Sequence, residues 1–284
     1  MRIGVASGKG GTGKTLVSVS LTRIIGRSRP VQYLDCDVEE PNGHLFLRPR
    51  IKRSTPVMLA TPAIDADQCD HCGECATFCR FGALAAMPAR TIVFPELCHA
   101  CGGCALVCSR GAITWRHRQI GRVEIGDAGD AGFVHGLLNV GEPMGPPVVE
   151  AVLKHADPSR TVIIDAPPGA ACQVVATLRG CDVVALVAEP TPFGLHDLGI
   201  AVRMVRMLGI RAVVIINRDG IGDASIDRLC DSVGLPVVGR IPHDRRIAEA
   251  YARGAVIAED MPEYAECFGQ LADGLLAEGS CANW

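Results

Sequence analysis

At 284 residues and 30.0 kDa, 48% of them apolar, the chain can bury a full core, which excludes disordered and fibrous architectures. Lys and Arg number 28 against 31 Asp and Glu, a net charge of −3, so the basic excess of a sequence-independent nucleic-acid binder is missing. The longest apolar stretches, such as Val183 to Ala188 and Ala212 to Ile216, are strand-sized and fall short of the roughly 20 residues that span a membrane. The opening residues turn glycine-rich before a signal-peptide apolar region can form, so a cytoplasmic location is expected. There the 14 cysteines read as metal ligands and packing residues, since disulfides are rare in reducing compartments.

In chain order, apolar runs and turn signals predict a strand at Ile3–Ala6, a glycine-rich loop, a helix over Lys14–Gly26 and a strand at Val31–Leu34. The alternation breaks between about Pro62 and Arg118 and resumes near Gly121. Then come helix Pro147–His155, strand Val162–Ile164, helix Cys172–Arg179, strand Val183–Val187 and helix Leu195–Leu208. Strand Ala212–Ile216, helix Ala224–Val233, strand Pro236–Ile241 and a final helical pair after Arg245 complete the chain. Continuous apolar strands alternating with helices predict an α/β fold, a doubly wound and mostly parallel sheet. The expected organisation is a sheet domain in two parts, 1–62 and 119–284, around an inserted module at 63–118.

Gly8-Lys9-Gly10-Gly11-Thr12-Gly13-Lys14-Thr15 follows the first strand and opens the first helix, the context that a phosphate-binding loop requires. Its glycines let backbone N–H groups curl onto phosphates, the helix N-terminus adds its positive end, and Lys14 supplies a point charge. Thr15 would offer its hydroxyl to Mg²⁺. Of only four lysines in the chain, Lys9 and Lys14 sit in this loop.

Within the break, Cys69, Cys72, Cys75 and Cys79 repeat at an offset of 29 as Cys98, Cys101, Cys104 and Cys108, an internal duplication. Each half reads C-x₂-C-x₂-C-x₃-C, which brings three thiolates round one cubane while the fourth reaches the other cluster. Cys₄ zinc is the competing reading of C-x₂-C pairs, but zinc sites set two such pairs across a longer gap.

The loop Lys9-Gly10-Gly11-Thr12-Gly13-Lys14-Thr15 resembles the deviant-Walker ATPases of the MinD/ParA and nitrogenase-iron-protein superfamily. The resemblance implies ATP and Mg²⁺ as cofactors and a nucleotide-dependent dimer, of identical chains or with a related ATPase, in which Lys9 reaches across to the partner. Leu34-Asp35-Cys36-Asp37 resembles the family's switch I, which implies Asp35 on the metal's hydration shell and Asp37 orienting the attacking water. The segment Val162 to Gly169 resembles its Walker B and switch II, so Asp165 would face Mg²⁺; catalysis would rest on Lys9, Lys14, Asp37 and Asp165. Asn217 and Pro242 stand where the family contacts adenine, and equally where ordinary strands end.

The cysteine insert resembles a bacterial two-cluster ferredoxin, although Arg80 and Ser109 stand where proline usually follows the fourth cysteine. Its crossed ligation implies one [4Fe–4S] cluster on Cys69, Cys72, Cys75 and Cys108, and another on Cys98, Cys101, Cys104 and Cys79. Together with Glu189 to Leu198, these motifs resemble MinD-superfamily ATPases containing an inserted ferredoxin domain. The implied function is ATP hydrolysis that gates electron transfer to a partner redox protein. An iron–sulfur cluster carrier or assembly ATPase and a positioning ATPase are the alternatives. No basic amphipathic tail follows Arg253, so neither membrane nor nucleic acid is an expected partner. Cys172 lies at a spacing similar to that of a cluster-gripping cysteine of the nitrogenase iron protein, but with no second such cysteine in the chain it reads first as a small buried residue beside a helix start. The carriers' C-terminal C-x-x-C is missing, because Cys267 and Cys281 are isolated.

Overall fold

The computed structural model describes residues 1–280, so Cys281 lies outside the described residues. Eleven strands are present among them: β1 (Arg2–Ala6), β2 (Val31–Asp35), β3 (Arg50–Ile64), β4 (Leu84–Met87), β5 (Arg90–Val93), β6 (Ile113–Ala128), β7 (Ala131–Leu138), β8 (Thr161–Asp165), β9 (Val183–Ala188), β10 (Ala212–Asp219) and β11 (Val237–Pro242). Nine form one sheet in the order β11-β10-β9-β1-β8-β2-β7-β6-β3, and β4-β5 is a separate hairpin. From β11 to β7 every pairing is parallel; β6 and β3 close that edge in antiparallel fashion.

The central strands are buried on both faces, which explains their unbroken runs of Val, Ile and Leu. One face is covered by α1 (Lys14–Gly26), the short α2 (Gly43–Leu47) and the C-terminal helices from Arg245 onward. The other is covered by helices at Pro146–Leu153, Cys172–Leu178, Pro192–Met207 and Ser225–Val233. Because the strands are parallel, the C-terminal ends of β1, β2, β8, β10 and β11 share one edge, where ligands of open α/β sheets bind.

The departure from strict alternation begins earlier than the sequence predicts, at Arg50, and ends later, at Leu138. β3 and β6 pair from Arg50↔Asp127 to Ile64↔Ile113, forming a two-stranded ribbon that carries the cysteine-rich segment at its far end. Its base is bulged: Ile51 faces Gly126 and Arg53 faces Ile125, leaving Lys52 as the extra residue. A Cβ on Gly126 would lie 2.2 Å from the carbonyl oxygen of Arg50, so only glycine lets the strands approach there.

Gly126→Val should therefore loosen the base of the ribbon, lowering unfolding free energy by about 1–3 kcal/mol, the usual cost of overpacking. Hydrogen exchange should quicken in β3 and β6 while β1 and β8 stay protected. Unchanged exchange along the ribbon would contradict this account of Gly126.

Candidate functional site

At the shared edge, β1 leads into the glycine loop and then into α1. Gly11 and Gly13 adopt φ of 77° and 93°, the left-handed region that glycine enters without penalty. A Cβ on Gly13 would meet the Asn217 side chain, whereas one on Gly10 or Gly11 would meet nothing, so the loop is braced behind and open in front. The Asn217 amide donates to the Thr12 carbonyl at 2.7 Å, and its oxygen accepts from the Arg218 N–H at 2.9 Å. Lys14 is buried, with Thr15 half-buried beside it. The Thr12 hydroxyl is buried without a hydrogen-bond partner.

Asp35 and Asp165 end β2 and β8 in direct register, and both are buried. Asp35 accepts from the Gly43 N–H at 2.9 Å and the Asp37 N–H at 3.2 Å. Asp165 Oδ2 accepts from the Tyr33 hydroxyl at 3.0 Å, while its Oδ1 is buried with no partner. Burial, and then the neighbouring Asp165 charge, hold the Asp35 carboxyl well above the usual range. Burial also raises Asp165, against the pull of Lys14. Two adjoining buried carboxylates, an orphaned oxygen and a nearby threonine hydroxyl suit a hard divalent cation with its waters. Asp37 is half-buried; burial pushes its carboxyl up to about 6, and Lys14 works against that shift.

Lys9 folds inward, its ammonium 2.5 Å from Glu189 Oε1. Glu189, itself buried, also binds the Arg218 guanidinium at 2.8 Å, and that group reaches the Gly11 carbonyl at 3.3 Å. Beside the loop, Leu16, Asn217, Arg218, Pro242, Asp244 and Tyr251 are among the residues lining a cavity of about 200 Å³. Asn217 and Pro242 are thus brought to one hollow next to the glycine loop, with Asn217's amide already engaged by that loop. Sequence reasoning missed Tyr33, Gly43, Arg218 and the pairing role of Glu189; the folded topology unites them.

In the cysteine-rich segment the duplication is conformational as well as sequential. His71 and Ala100, Gly73 and Gly102, and Gly82 and Gly111 are three pairs at positive φ, each offset by 29 residues. Short helices begin at Glu74 and Gly103, again 29 apart. Non-glycine residues pay about 1–2 kcal/mol to adopt this backbone, so His71 and Ala100 mark turns that the local structure enforces. The Ala100 N–H points at Cys98 Sγ, 3.4 Å away. Cys79, Cys98, Cys101 and Cys104 line one cavity of about 270 Å³, with Phe78, Phe81 and Trp115 around them. Cys69, Cys72, Cys75 and Cys108 line a second, tighter one of about 20 Å³. Among the described residues, no three His, Cys, Asp or Glu side chains converge as ligands of a single ion would. The residues fit two four-cysteine cradles in their chemistry and grouping. Cys172 departs from the expected buried packing residue: it is exposed at the start of its helix.

A parallel sheet with a glycine loop, buried lysine and paired carboxylates at its C-terminal edge defines a phosphate-loop nucleotide-binding protein. More specifically, residues 3–257 match the CbiA family, the CobQ/CobB/MinD/ParA nucleotide binding domain, and the chain belongs to that family. Among similar proteins, an uncharacterized protein of Methanocaldococcus jannaschii is 28% identical over 277 residues, covering 97% of this chain and 96% of its own. An iron–sulfur cluster carrier protein of Pyrococcus horikoshii is 27% identical over 132 residues, 40% of this chain and 44% of the carrier. The fold is similar to the Pyrococcus furiosus cell division ATPase MinD, with TM-score 0.60 and 20% identity, covering 97% of this chain and 98% of that one. It is equally similar, at TM-score 0.60 and 20% identity, to the Pyrococcus horikoshii MinD complexed with Mg-ADP, covering 97% and 96% of the two chains. Among the described residues no helix is long and apolar enough to cross a membrane.

In the nucleotide-free protein, Asp37 should titrate near pH 6, protonated below and charged above. Lys14→Met removes the charge that favours the carboxylate and should move that midpoint upward. Carbon-13 shifts of the aspartate carboxyls would follow both; an Asp37 midpoint near 4 in wild type would refute the burial argument.

Proposed function

We propose that this chain is an ATP-hydrolysing iron–sulfur protein that uses its nucleotide cycle to handle two [4Fe–4S] clusters, as a cluster carrier or assembly ATPase. The observation that carries the iron–sulfur reading is the grouping of eight cysteines into two cavities of four, each drawing three from one repeat and one from the other. That is the crossed set of a two-cluster ferredoxin. The carrier reading draws on the Pyrococcus relative, whose name is that of a cluster carrier.

In this reading the loop's N–H groups and Lys14 bind the nucleotide phosphates, and the hollow at Asn217 and Pro242 receives the base. Thr15, Asp35 and Asp165 hold Mg²⁺ and its waters, and the metal supplies charge neutralisation on the phosphates. Asp37 orients the attacking water. The eight cysteines hold the clusters, which supply one-electron chemistry when bound. Lys9 exchanges Glu189 for the phosphates of a partner subunit in a dimer of identical chains or with a related ATPase.

A second reading keeps the clusters resident, with the nucleotide switch gating electron transfer to a partner redox protein. It draws on the same eight ligands, since two fully ligated sites retain their clusters. Anaerobic purification should give about eight irons per chain, and Cys75→Ser or Cys104→Ser should each lose roughly half of them. Phosphate release should fall to background in Lys14→Ala. Incubation with apo-ferredoxin and Mg-ATP then separates the readings: transfer within minutes supports the carrier, whereas retained clusters that a reductant reduces support the gate. Colourless protein without iron would end both.

A further inference from the structure

Tyr33 lies outside every motif, yet it is wholly buried with its hydroxyl between the two metal-facing carboxylates. It stands 3.0 Å from Asp165 Oδ2 and 3.4 Å from Asp35 Oδ2. The carboxylates are unequally supported without it. Asp35 takes backbone N–H groups on both oxygens, from Asp37 on Oδ1 and from Gly43 on Oδ2. Asp165 Oδ1 makes no hydrogen bond and Oδ2 takes the tyrosine hydroxyl, while the Thr15 and Ser18 hydroxyls lie near enough to favour its charge. One hydroxyl carries one proton, so it donates to a single carboxylate at a time, and the shorter contact assigns that proton to Asp165.

The ring that delivers the hydroxyl has no room to move. It stacks on Phe133 with centroids 5.7 Å apart and planes 19° from parallel. α2 packs against it at Gly43, where an added Cβ would lie 2.2 Å from the hydroxyl oxygen. A glycine there lets one turn of helix both donate to Asp35 and cap the tyrosine.

Resting on the nucleotide reading above, we infer that Tyr33 is a positioning residue of the Mg²⁺ site. By binding Asp165 Oδ2 it fixes the carboxylate's rotation so that the unpartnered Oδ1 faces the metal and its waters. Phenylalanine keeps the ring, the stacking and the buried volume, and removes only the hydroxyl.

The test is Mn²⁺ binding, followed by electron paramagnetic resonance in the presence of ADP, on the full chain. Tyr33→Phe should weaken Mn²⁺ binding on the order of tenfold, the usual loss when a partner of a metal-binding group is removed. ADP affinity in EDTA should stay near wild type, whereas the metal-free melting temperature should fall, because buried Asp165 loses the tyrosine's proton. Turnover should need more Mg²⁺ for half-saturation yet reach a similar kcat once saturated, a split that a merely structural tyrosine would not produce. Gly43→Ala, whose Cβ would lie 2.2 Å from the same hydroxyl, should shift Mn²⁺ binding in the same direction, and if the phenylalanine variant fails to fold the test passes to Tyr33→Leu, which also lacks the hydroxyl. Wild-type Mn²⁺ affinity in the variant that folds overturns the assignment and leaves the nucleotide reading standing. A wild-type chain that takes up neither ADP nor Mn²⁺ overturns both.

Discussion

Two carboxylates buried abreast are the costliest feature of this molecule, and much of the nucleotide edge is organised round them. The register of β2 on β8 sets Asp35 against Asp165. At a strand spacing of about 5 Å and an effective dielectric of roughly 20, their repulsion is about 3 kcal/mol, before either loses its water. Gly43 and Asp37 supply N–H groups to one, Tyr33 supplies a hydroxyl to the other, and Lys14 lies near enough to oppose the shift that burial imposes. What remains uncompensated is one oxygen of Asp165. Two buried acids left one donor short suit a cation, which would supply the missing compensation.

How legible this was depended on whether the chemistry was consecutive in the chain. The glycine loop could be read because eight neighbouring residues carry it between a strand and a helix. The cysteine duplication could be read because spacing alone displays it. Tyr33 looked like one more apolar strand residue, since nothing local reveals that β8 will lie beside β2 and bring Asp165 to its hydroxyl. Glu189 sat inside a recognised stretch, but its pairing with both Lys9 and Arg218 requires the ends of β9 and β10 to meet the loop. Asn217 and Pro242 read equally well as strand ends, and sheet closure is what brought both to the same hollow.

The parallel strands were legible for a different reason. Burial on both faces demands continuous apolar runs, which composition displays directly. β3 gives no such signal. Arg50 to Pro56 are exposed on both faces, so neither an apolar run nor an alternation forms, and Pro56 and Pro62 argue against a strand. An edge position tolerates both prolines, and Arg50, Lys52 and Arg53 protect that edge from pairing with other chains. At 15 and 16 residues, β3 and β6 also far exceed the usual strand of about 5–6, so no typical window would have found them.

The ribbon is more than a tether, because its inner strand is hydrogen-bonded into the same sheet as the nucleotide edge. Four adjacent strands set Asp165, Asp35, His135 and Glu124 in a single line across the sheet. The buried His135 ring closes that line with its Nε2 3.0 Å from Glu124 Oε2, and Glu124 in turn accepts from Arg122 on the ribbon. Burial lowers His135 from its ordinary value, and the Glu124 carboxylate pulls the other way. A shift of β7 relative to β6 would have to break that bond or carry the base of the ribbon with it. The chain thus joins its glycine loop and its cysteine cradles through backbone pairing, where a flexible linker would have left the two ends mechanically independent.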